Sequence, residues 1–149
     1  MKRKELKKRI VLLSSMGLMI FANGLMAQQG VVVDPSEVIE ECLNDGLFTK
    51  QFSESIFSNI ETYYVVNNST IAIPTDFEVN GKSVVESAEG SVTADTYFTL
   101  ESVSIVGERA TILYDFHYTV NGVATVQSME AELGVFNGHW STMNSTLIN

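Results

Sequence analysis

One cysteine and two histidines are all that the 149-residue chain holds of the residues that most often carry redox, nucleophilic or metal chemistry. A lone Cys42 excludes an intrachain disulfide. It also lies too far from the N-terminal region to be a lipid-anchored first residue, and its place among apolar neighbours reads as a buried, inert thiol. Cys42, His117 and His139 together supply too few ligands for a structural zinc site. No acidic loop has the alternating spacing of a calcium hand. There is no Gly-x-Ser-x-Gly elbow and no glycine-rich phosphate loop, so no cofactor is implied. Cations are scarce as well. Six of the nine Lys and Arg stand within the first nine residues, and only Lys50, Lys82 and Arg109 follow. Binding of nucleic acid or anionic lipid requires clustered Lys and Arg, which excludes both as partners.

The early cations belong to a recognisable device. Lys2, Arg3, Lys4, Lys7, Lys8 and Arg9 precede an apolar run over 10–22, interrupted only by Ser14, Ser15 and Gly17. Small residues Gly24 and Ala27 then offer cut points, the second just before Gln28. A positive end, a short apolar core and a small junction residue make a secretory signal peptide over 1–27. The run is too short and broken for a membrane span of about 20 apolar residues, so none is expected after cleavage. The expectation is an exported protein, periplasmic or extracellular, with a leader that reads as bacterial. Removing the leader leaves three cations against seventeen carboxylates, hence a net charge of −14 for residues 28–149. That length suits one domain with a single core.

Within 28–149 the apolar period changes once. Asp34, Pro35 and Glu37 form a helix start, with Asp34 as cap and Pro35 in the first turn. Val38, Ile39, Cys42 and Leu43 recur at helical spacing, and Gly46 stops the helix. A second helix is expected over 49–64, where Phe52, Ile56, Ile60 and Tyr63 repeat at three and four. Beyond Asn67 the period is two. Ile71 and Ile73 open an extended segment that Pro74 interrupts. Asn80-Gly81, Asn121-Gly122 and Asn137-Gly138 are hairpin turns, because both turn positions need positive φ. The first is the weakest, since 82–90 also reads as a loop or a short helix. The clearest strand covers 109–120, with Ala110, Ile112, Tyr114, Phe116, Tyr118 and Val120 on one face. The strand before it, 97–106, changes phase between Leu100 and Val103, which a β-bulge would reconcile. Met129, Ala131, Leu133 and Val135 make another inward row. The fold expected is α+β: two N-terminal helices packed on a strongly bent antiparallel sheet of four to six strands.

The stretch Ser102-Val103-Ser104-Ile105-Val106-Gly107-Glu108-Arg109-Ala110-Thr111-Ile112 resembles a recurring strand–turn–strand segment of the nuclear transport factor 2-like superfamily. Val135-Phe136-Asn137-Gly138-His139-Trp140 is similar to that superfamily's closing hairpin. The resemblance covers the C-terminal third of the chain and implies a cone-shaped α+β fold. The mouth of such a cone often holds a hydrophobic pocket, catalytic in some members and a simple binding site in others.

Two candidate sites follow. Asp115 and His117 stand two apart on one strand, so a carboxylate lies beside an imidazole, as a general base and its orienter would. The larger apolar set faces the opposite side, which puts this pair on the outer face of the sheet. Tyr114, Phe116, Tyr118, Met129 and Trp140 line either a plain core or a small-molecule pocket. Trp140 reads first as a core anchor whose indole N–H finds a partner at the rim. Three functional readings remain: non-enzymatic binding of a small apolar ligand or a protein partner, an isomerase- or hydratase-like enzyme using Asp115 and His117, and a homodimer pairing through the outer sheet face near Leu113.

Overall fold

A computed structural model describes residues 33–148; the expected signal peptide lies outside them. Three short helices come first: α1 (Glu37–Leu43), α2 (Gly46–Thr49) and α3 (Glu54–Phe57). Seven strands follow: β1 (Tyr63–Asn67), β2 (Glu78–Val79), β3 (Lys82–Glu86), β4 (Tyr97–Val106), β5 (Arg109–Val120), β6 (Val123–Phe136) and β7 (His139–Ile148). They form one sheet in the order β2-β3-β1-β4-β5-β6-β7. The sheet is mixed, since β1 runs parallel to both its neighbours, β3 and β4, while every other pairing is antiparallel. It curls into a half-barrel.

The expected pair of N-terminal helices packed on an antiparallel sheet of four to six strands is corrected by this arrangement: the sheet has seven strands and is mixed, and only 13% of the described residues are helical. The second helix does not form. Thr49 and Ser58 turn their hydroxyls back onto the carbonyls of Gly46 and Ser55, both at 3.1 Å. Such bonds favour isolated turns over a continuing helix. Tyr63, Tyr64, Val65 and Val66 are aromatic or β-branched, and they become strand β1. Ile71 and Ile73 are not in a strand, and pack partly buried against the core. Residues 82–86, read as loop or helix, are strand β3. The start of α1 also moves. Asp34 Oδ1 accepts from both the amide and the hydroxyl of Ser36, at 2.9 and 2.8 Å, so its carboxylate closes a turn and Ser36 becomes the cap residue. Gly46 opens α2 rather than ending α1.

The hairpin half agrees with its local chemistry. Asn80, Asn121 and Asn137 have φ of 52–53°, and the glycines after them 73–82°. These are the paired positive values of a two-residue turn that matches strand twist. Between Leu100 and Ser102 the β4–β5 register shifts by one. Glu101 is therefore an extra residue, and the inward set passes from Phe98 and Leu100 to Val103 and Ile105. The core lies on the inner face of this sheet. Phe98, Ile112, Tyr114, Phe116, Met129, Ala131 and Leu133 are buried from the sheet side, and Val38, Ile39, Cys42, Leu43 and Phe48 from the helical side.

Candidate functional site

Strand register assembles two rows on the outer face. Val66, Thr99, Asp115 and Ser128 lie opposite one another across β1, β4, β5 and β6; Tyr64, Tyr97, His117 and Val126 form the next row. Side chains alternate along a strand, so these rows point away from Phe98 and Phe116. The segment joining β3 to β4 runs beside them, fixed at its start by Ser87 N donating to Val65 O at 2.9 Å. Glu89 and Val92 of that segment, with Thr99, Glu101, Asp115 and His117 of the sheet, border a groove of about 190 Å³.

The bulge makes this site. Were Glu101 paired with β5 in an unbroken ladder instead of bulged, Tyr97 would lie across from Tyr118 and face inward, because a one-residue slip turns every side chain to the other face. With the bulge, Tyr97 is opposite His117, and the two rings stack 4.0 Å apart at 6°. Thr99 Oγ1 and His117 Nε2 share a hydrogen bond of 3.0 Å. Burial pulls the imidazole below its ordinary pKa, opposed by the charges of Asp115 and Glu101. The neutral imidazole is therefore favoured over the imidazolium. Asp115 Oδ1 accepts from the Ser128 hydroxyl at 2.6 Å. The predicted pair thus shares a face and a groove, yet each member is tied to a different partner. Glu89, Glu101 and Asp115 are the groove's carboxylates, and no Lys or Arg lines it. Among the described residues, no group of three or more His, Cys, Asp or Glu is placed to hold a metal.

The predicted apolar set is scattered between core and rim. Tyr114, Phe116 and Met129 are fully buried, and Tyr118 is half-buried at the edge of the same cluster. Phe116 is surrounded by Phe48, Phe52, Phe57, Phe98 and Tyr118, with ring centroids 5.0–5.7 Å away. The space that a ligand would take there is filled by rings from the helical segment. Trp140 is buried near the opposite end of that segment and borders a separate cleft of about 270 Å³ with Glu37, Glu40, Glu41, Asn44 and His139. Its Nε1 has no hydrogen-bond partner, contrary to the expected rim contact, and the Tyr114 hydroxyl is likewise unpartnered. Burial pushes the Tyr114 phenol and the Cys42 thiol well above their ordinary values. Cys42 is thus the inert thiol its neighbours suggested.

Tyr97, Thr99, Glu101 and Ser128 escaped the sequence reading as site residues. The phase change after Leu100 was their signal, since it sets which residues of β4 share a face with His117. No helix among the described residues is long and apolar enough to cross a membrane. No family model, curated protein or solved structure matches the chain. The resemblance to the nuclear transport factor 2-like superfamily therefore rests on its two quoted segments alone.

Proposed function

We propose that this chain is an exported, non-enzymatic binding domain, and that the outer groove receives a lysine or arginine side chain of a protein partner. The observation that carries this reading is the groove's charge pattern. Three carboxylates face a space lined by no Lys or Arg and by an imidazole that burial biases toward its neutral form, between walls that include Val66 and Val92. A carboxylate cluster without a cation of its own favours a charge-assisted hydrogen bond to an ammonium or guanidinium group, while apolar walls accommodate its methylenes. The filled interior supports the same choice over a small apolar ligand. An isomerase- or hydratase-like reaction would need Asp115 to orient His117, and the bonds of both side chains run elsewhere.

The test is an NMR titration with N-acetyl-lysine methylamide, set against its uncharged norleucine counterpart. Amide shifts should gather at Tyr97, Thr99, Glu101 and His117 for the lysine compound only, and Asp115→Asn should weaken them. Equal response to norleucine, or no response up to about 10 mM, a binding free energy weaker than about 3 kcal/mol, overturns the reading.

A further inference from the structure

Residues 116–129 contain no Asp, Glu, Lys or Arg, fourteen positions in a row within a strongly acidic chain. The middle of this window is the end of the β5–β6 hairpin. On one side β4 pairs with β5 only as far as His117. On the other, β7 pairs with β6 only as far as Ser128. The hairpin end therefore projects as a two-stranded ribbon, and among the described residues no strand pairs with β6 at 123–127. Val120, Val123 and Val126 are 40%, 64% and 54% exposed there.

The two-residue Asn121-Gly122 loop makes Val120 and Val123 the closing hydrogen-bonded pair. Bonding direction alternates along an antiparallel strand, so the N–H and C=O of Ala124 and Val126 point away from β5, toward open space. Natural sheets blunt such an edge with lysine, proline, a bulge or an inward charge. Residues 123–127 carry none of these.

We propose that this edge pairs with the same edge of a second copy, antiparallel about a two-fold axis through Thr125. Ala124 then lies opposite Val126 of the second copy, Val126 opposite its Ala124, and Thr125 opposite Thr125. Both outward-facing residues fall into hydrogen-bonded register at once, giving four backbone hydrogen bonds across the axis. An isologous contact requires such self-complementarity, and this edge meets it. The charge pattern selects the same occupant. Two bodies of −14 repel wherever their carboxylates meet, and this edge has none, whereas a partner recognised by charge would find nothing here to hold. The central Thr125–Thr125 pair adds a favourable cross-strand contact.

The experiment is analytical ultracentrifugation of the protein recovered after export, at about 10 μM to about 1 mM, the range expected of a contact with so few hydrogen bonds. The native chain should pass from monomer to dimer across that range. Ala124→Pro removes an N–H that β5 does not use, at an edge position that tolerates proline. It should remain monomeric throughout with an unchanged circular dichroism spectrum. If that variant fails to fold, Val126→Lys, a change confined to an exposed side chain, should be monomeric in its place. A native protein that is monomeric at every concentration overturns the proposal. So does a folded variant that dimerises as the native chain does.

Discussion

Replacing Phe48 by alanine should be among the most destabilising single changes in this fold. Phe48 belongs to a four-residue helix with little intrinsic stability of its own. Its ring is nevertheless only 1% exposed. It lies 5.0 Å from Phe52 and from Phe116, 5.5 Å from Phe98, 5.9 Å from Phe57 and 6.0 Å from Tyr114. A buried Phe→Ala change costs about 3–5 kcal/mol, and the value rises where the surroundings cannot collapse into the cavity. Three of the five neighbouring rings, Phe98, Tyr114 and Phe116, are held by β4 and β5 and cannot move inward without breaking the strand ladder. The loss should therefore fall near the upper end, about 4–5 kcal/mol. Phe48→Leu, which keeps most of the volume, should cost about half of that or less. Urea unfolding followed by the single tryptophan, Trp140, gives the assay. With a slope of about 2 kcal/mol/M, the alanine variant's midpoint should fall by roughly 2 M. A loss under about 1.5 kcal/mol would refute the reasoning, because it would mean that the helical segment docks loosely and the sheet is stable without it.

Two glycines should respond to alanine with opposite signs in the same assay. Gly122 has φ of 76° and open space where a Cβ would stand, so Gly122→Ala meets backbone strain alone and should cost about 1–2 kcal/mol. Gly46 has equally open space and no positive φ, so Gly46→Ala at the start of α2 should stabilise by up to about 1 kcal/mol; same-sign responses would contradict the turn geometry. His117 has a folded pKa below its unfolded value, so the native state disfavours the proton. Its contribution to stability is complete above the unfolded pKa of about 6.5 and is lost as pH falls through that value toward the folded pKa. His117→Gln should therefore flatten the acid limb of stability below about pH 6.5, and an NMR midpoint for His117 at or above about 6.5 would refute the burial argument.

The C-terminal half was legible because its signals are local. Asn121-Gly122 and Asn137-Gly138 fix both turn type and register, and the alternation along β5 fixes which face is buried. The phase break in β4 even located its bulge. The N-terminal half was not legible, and Phe52, Ile56, Ile60 and Tyr63 explain why. Helical spacing requires only that one side of a segment be apolar, and a chain of isolated turns ending in a strand meets that requirement equally well. Phe52, Ile56 and Ile60 do face the core, as the spacing demanded, on a backbone that is not one helix. What decides the matter is non-local. Tyr63 pairs with Val84 in β3, and Val65 with Phe98 in β4. A strand placed by parallel partners some twenty and thirty residues away leaves no signal in its own window.

The same division runs through the site. Parity along β5 alone put Asp115 and His117 on the outer face, and it needed no partner strand. What surrounds them depends on Glu101. One extra residue lets β4 keep Phe98 and Leu100 in the core before it and Val103 and Ile105 after it. The same residue brings Tyr97 and Thr99 up beside the imidazole and leaves the Glu101 carboxylate at the groove's border. Had β4 kept the phase of its C-terminal half throughout, its N-terminal half would have turned Tyr97 and Thr99 inward, and the groove would have lost both together. Core packing and groove chemistry are thus consequences of one insertion, which is why a reading that recognised the bulge as a bend in the sheet still missed the residues it delivers to His117.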